Sequence, residues 1–132
     1  MPSHARGTFD VKVTPQSSDA GADGTTLSRL SLDKQYHGDL DGTATGEMLA
    51  AGTQVKGSAG YVAVERVTGT LKGRRGTFVL QHSGTMAHGA QQLTITVVPD
   101  SGTSDLVGLS GRLKIIIGAD GSHSYELEYA LP

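Results

Sequence analysis

Glu65 and His82 are the residues whose types and placement could do chemistry together: a carboxylate can orient or charge an imidazole, and such a pair can take up or deliver a proton. They lie in YVAVERVTGTLKGRRGTFVLQHSGTM, Tyr61 to Met86, which reads as one long β-hairpin around a basic, Gly-flanked turn. Its first strand alternates Tyr61, Ala63, Glu65 and Val67 against Val62, Val64, Arg66 and Thr68; its second alternates Phe78, Leu80 and His82 against Val79, Gln81 and Ser83. Glu65 shares the parity of Tyr61 and Ala63, and His82 that of Phe78 and Leu80, so both are expected to point into an apolar interior. A turn centred near Gly73 to Arg75 pairs residues whose numbers sum to roughly 148, which sets Glu65 beside His82 and Ser83. Burial is expected to favour the neutral forms, leaving a carboxyl or imidazole that exchanges a proton near neutral pH. A polar cross-strand pair on the outer face, or a satisfied interior hydrogen bond, is the structural alternative.

Around this pair, Tyr36, Tyr61, Phe78, Leu80, Tyr125 and Tyr129 are the residues expected to line a ligand cavity with rings, aliphatic surface and hydroxyl handles; core packing is the competing role for the tyrosines. Glu47, in TGEML, is either a further acid or the partner of a basic side chain. His4, His37, His82, His88 and His123 are scattered without an HxH or HExxH spacing, and His88 and His123 fall at turns, so no metal is expected. The absence of Cys excludes thiolate catalysis and Cys-ligated metals. Ser83 and His82 are strand neighbours pointing to opposite faces, no GxSxG elbow exists, and the glycines of GLSG and GRRG lack a strand-to-helix context. No cofactor is expected.

The 132 residues make one ordinary domain, 1–132, able to bury a core without staples. Eleven basic against thirteen acidic residues, interspersed, give a net charge of -2 and argue against a nucleic-acid partner; Lys72, Arg74 and Arg75 are the nearest thing to a basic cluster. No apolar run suits a signal peptide or a membrane span, so a cytoplasmic protein without membrane contact is the expectation.

Short alternating runs place the elements. Ala5 to Val13 is a strand with Phe9, Val11 and Val13 on one face, and 15–24 (PQSSDAGADG) is expected to be an exposed loop. Leu30, Leu32, Lys34, Tyr36, Gly38 and Leu40 share one parity of a second strand, in which Lys34 breaks the apolar row. DGTATGEMLAAG is either a separate strand or the same one bent at Gly42 and Gly46. After the hairpin, Leu93, Ile95 and Val97 mark a strand stopped by Pro99; 99–110 is a loop docking Leu106, Val107 and Leu109 on the core; LKIIIG and HSYELEYALP are strands joined by a two-residue turn at Asp120 and Gly121. Seven or eight strands in meander order predict an all-β fold, a single closed antiparallel barrel.

The runs GDLDGTATGEML, GYVAVERVTGTLKGRRGTFVLQHSGTM and VVPDSGTSDLVGLSGRL resemble the DUF3224 family, small bacterial proteins of unassigned function with an allene oxide cyclase-like barrel. That resemblance implies eight antiparallel strands and an architecture related to allene oxide cyclases, dirigent proteins and some bacterial polyketide cyclases, a scaffold that hosts varied chemistry. The expected function is binding of an apolar small molecule, extending to a cofactor-independent isomerase or cyclase with Glu65 and His82 as its titratable groups. The alternative is a filled, non-catalytic barrel that forms a homo-oligomer through outer strand faces such as Val62 and Val64, or Thr94, Thr96 and Val98.

Overall fold

The computed structural model describes residues 2–132. Eight strands, β1 (Ser3–Ala20), β2 (Thr26–Gly38), β3 (Leu40–Gly52), β4 (Ala59–Leu71), β5 (Arg74–Ala87), β6 (Ala90–Val97), β7 (Ser110–Ile117) and β8 (His123–Ala130), form an antiparallel meander. It closes through β1–β8 pairing into a single barrel. The alternation sets each strand's inside: Leu32, Lys34 and Tyr36, then Ala63, Glu65 and Val67, then Phe78, Leu80 and His82 are buried in turn.

The central hairpin is tighter than the sequence predicts. Lys72 and Gly73 both have positive φ, 46° and 85°, as a two-residue type I′ turn requires, and Arg74 and Arg75 already belong to β5. Leu71 therefore pairs with Arg74, and the register runs on to set Glu65 opposite Leu80 and Ala63 opposite His82. Glu65 and His82 meet on a diagonal rather than face to face.

Two further expectations are corrected. Residues 15–20 of the predicted loop continue β1 as an exposed strand, because β2 is long enough to pair with them across a bulge between Pro15 and Ser17. The β7–β8 connection is longer than two residues: Ile117 pairs with His123, and Asp120 Oδ1 accepts from the Ser122 amide at 3.0 Å and its hydroxyl at 2.7 Å, an Asx-type turn. DGTATGEMLAAG forms a strand of its own, β3.

The two ends of the barrel differ. One is closed by Ala5, Leu40, Leu71 and Tyr129 together with Leu106 and Leu109, which the 3-10 turn Ser104–Leu106 in the 99–110 segment lowers onto the core. The other end, where β1, β3, β5 and β7 finish, keeps its inward residues only half-buried: Leu30, Met48, Tyr61 and Met86. The wall is also uneven, since β6 and β7 pair only at Thr96 and Arg112.

Candidate functional site

At the level between packed core and open end, three charged or titratable side chains are buried together: Lys34, Glu65 and His82, exposed by 8%, 1% and 3%. Burial on this scale demands partners for each group. Glu65 Oε2 accepts from Lys34 Nζ and from His82 Nε2, each at 2.7 Å, and Glu65 Oε1 accepts from the Tyr36 hydroxyl. The Lys34 ammonium also lies 5.0 Å from the centre of the Phe9 ring.

Small residues make this convergence fit. Lys34 stands on β2 and Glu65 on β4, with β3 between them, and the inward β3 residues at that level are Ala44, paired with Lys34, and Gly46, paired with Glu65. A Cβ at Gly46 would approach the Val64 carbonyl oxygen to 2.0 Å, so the strands also come too close there for any other residue. Lys34 thus reaches across a strand with no bulky side chain in its path.

Burial alone would raise the Glu65 carboxyl, but the His82 hydrogen bond, the Lys34 charge and the Lys34 and Tyr36 hydrogen bonds outweigh it and hold the group down at about 2. This overturns the expectation of a neutral carboxyl exchanging a proton near pH 7: Glu65 is a fixed carboxylate. Burial and then the Glu65 charge push the Tyr36 phenol far up. The same causes raise Tyr61, so both remain protonated phenols.

Tyr61 connects the cluster to the open end. It stands two register positions nearer the mouth than the Ala63–His82 pair, and its hydroxyl lies 3.4 Å from His82 Nδ1. Its ring fills the place of the side chain that Gly84, its cross-strand partner, lacks; a Cβ there would be 2.6 Å from Tyr61 Cε1. Above it opens a pocket of about 640 Å³ lined by Leu30, Met48, Ala50, Met86 and Leu93, with Thr26, Ser28, Gln91 and Gln92 among its polar members. A carboxylate, an imidazole and a phenol thus run in series from the sealed interior to the pocket floor.

The other predicted residues lie elsewhere. Of the six expected to line a cavity, Tyr61 does so, whereas Tyr36 holds Glu65, and Phe78, Leu80 and Tyr129 pack in the core away from the pocket. Tyr125 is a latch: its hydroxyl donates toward the His37 carbonyl at 2.9 Å and accepts from the Leu40 amide at 2.9 Å, tying the β2–β3 corner to β8. Glu47 is exposed and pairs with Arg29 at 2.9 Å. His88 sits in the exposed β5–β6 turn, His37 pairs with Asp10, and His123 opens β8 with its ring 5.2 Å from that of Phe9. Among the described residues no three His, Asp or Glu side chains converge as a metal site would need. Lys34 is the member that the sequence reading left out of the site. Its inward parity, which calls for a buried counter-charge, was the available signal.

A family model described as a protein of unknown function, DUF3224, matches residues 5–129. The chain belongs to the DUF3224 family. The crystal structure of another DUF3224 protein of unknown function, from Shewanella oneidensis MR-1, superposes with a TM-score of 0.95 at 47% sequence identity, covering 100% of this chain and 98% of that one. No curated protein matches. No helix among the described residues of this DUF3224 protein is long and apolar enough to cross a membrane.

Proposed function

We propose that this DUF3224 barrel binds an apolar small molecule at its open end and exchanges a proton with it through Tyr61, as a cofactor-independent isomerase or cyclase would. The observation that carries this reading is the single file from pocket to carboxylate: Tyr61 at the floor, His82 behind it, Glu65 beneath. Tyr61 touches the ligand. His82 stands where it can receive or return the phenolic proton at Nδ1, while Glu65 fixes the ring by accepting from Nε2. Glu65 is a positioning residue here, because Lys34, His82 and Tyr36 engage both its oxygens and it is fully buried. Lys34 and Tyr36 keep it ionised and still. The apolar wall supplies desolvation and holds a flexible ligand in one conformer.

The test is titration of the folded protein with a panel of apolar ligands, followed by methyl resonances of Met48 and Met86, then assay of every binder for isomerised or cyclised product. Saturable shifts confined to the pocket are expected. With any turned-over binder, Tyr61→Phe should lower kcat by more than it raises KM, and His82→Gln should change the pH profile. Full activity in both folded variants would remove the relay from the mechanism.

A second reading, self-association, rests on the outer face, where Leu27, Leu49, Val62 and Val64 are each at least half exposed and Leu49 pairs directly with Val62. Light scattering over a wide concentration range tests it; a monomer throughout would exclude it.

A further inference from the structure

We infer that the ligand of the open-end pocket is a neutral carbonyl compound with an apolar body, its oxygen accepting a hydrogen bond from the Tyr61 hydroxyl. This rests on the reading of that pocket as a ligand site and names what the site selects.

Charge decides the first part. No charged side chain of the described residues lines the pocket. The nearest buried ammonium, Lys34, is already bound at 2.7 Å to Glu65 and covered by Phe9 and Tyr36. A carboxylate ligand would lose its hydration without meeting a counter-charge, and a cationic ligand would meet no anion either, since Glu65 has spent both oxygens on Lys34, His82 and Tyr36. Neutral ligands escape both costs.

The second part follows from what the floor offers. Leu30, Met48, Ala50, Met86 and Leu93 present aliphatic and thioether surface, and the two methionines can repack around ligands of different outline. Of the pocket's polar side chains, Tyr61 is the one whose hydroxyl also reaches the buried cluster, at His82 Nδ1. A phenol oxygen shares its lone pair with the ring, so it donates far better than it accepts. Its contact to His82 Nδ1, at 3.4 Å, is long for an O–H···N bond and leaves the proton free to turn toward a better-placed acceptor. A carbonyl oxygen is such an acceptor and brings no donor of its own that would need a partner.

The experiment uses the intact protein and four probes of matched chain length, methyl nonyl ketone, undecane, undecanoate and undecylamine, titrated at neutral pH while the Met48 and Met86 methyl signals are followed. The ketone is expected to bind about tenfold more tightly than undecane, the scale of one net hydrogen bond, and more tightly than either ion. Tyr61→Phe should erase that advantage and leave undecane binding as it was, which also shows that the variant pocket is intact. If undecanoate or undecylamine binds as well as the ketone, or if Tyr61→Phe leaves the ketone's advantage in place, the carbonyl assignment is overturned while the ligand site stands. If none of the four shifts those methyl signals, the ligand-site reading itself falls.

Discussion

Glu65 carries three buried partners at once, which makes it the residue on which the interior depends most. Glu65→Gln would leave the Lys34 ammonium buried without its counter-charge, a change that costs on the order of 3–5 kcal/mol. Urea denaturation measures it, and Lys34→Met in the same background should return part of the loss; a double variant as unstable as the sum of its parts would mean that the two do not act as a pair. The same group sets an acid limit. Its folded value, about 2, lies below its ordinary 4.5, so its contribution is present in full above about pH 4.5 and is lost as pH falls toward 2. The exposed Asp23 and Asp120 and the half-buried Glu126 are lowered too, but the comparison of wild type with Glu65→Gln isolates the fully buried group. The variant is expected to show a shallower fall in urea midpoint between pH 4.5 and 2. Parallel curves would show that Glu65 is not the group responsible. Parity in the sequence was enough to turn Glu65 and His82 inward. It also turned Lys34 inward, yet an inward lysine is so costly that it read as an interruption, and only the three-dimensional closeness of β2 and β4 across Ala44 and Gly46 makes it a partner.

Strands and turns fix how these groups meet. The alternating runs gave nearly every strand, but register depends on turn type, and a Lys-Gly pair with both φ positive is a weaker signal than Asn-Gly, so the hairpin was centred too far along the chain. Tyr125 was equally hidden: its hydroxyl is held by backbone atoms of His37 and Leu40 at the β2–β3 corner, far away in sequence, which no local pattern reports. The glycines of β3–β5 have separable jobs. Gly69 pairs with Gly42, and a Cβ on it would come 2.3 Å from the Asp41 carbonyl oxygen, so Gly69→Ala forces two backbones apart. Gly84→Ala would instead press on the Tyr61 ring, which can turn away. Thermal unfolding should therefore show a loss of roughly 1–3 kcal/mol for Gly69→Ala and less for Gly84→Ala. The side-chain signals of Tyr61 and His82 should move in Gly84→Ala and stay in place in Gly69→Ala. An unmoved Tyr61 signal in Gly84→Ala would show that Gly84 does not seat the ring.

Across the whole molecule the barrel is closed but not equally strong all round. β2 through β5 are joined by continuous ladders of eleven or more paired positions, whereas β6 and β7 share the single pair Thr96 and Arg112. Beyond that pair β6 and β7 share no ladder position, and Leu93 on β6 and Ile116 and Ile117 on β7 stand substantially exposed. Such an edge invites pairing with another chain, and Lys114, exposed on β7, is the kind of charge that discourages it. Because strand amides are protected by the ladders they join, local opening should begin at this seam and spread last to β4 and β5. Gln91 and Leu93 border both the seam and the pocket, so opening there also widens the ligand's way in. Native-state hydrogen exchange checks this: seam-facing amides of 91–94 and 113–117 should exchange fastest among the strands, and a bound ligand should slow those of 91–94. Uniform protection around the barrel would mean that β6 and β7 pair beyond Thr96 and Arg112 in solution, and that ligands enter only through the open end.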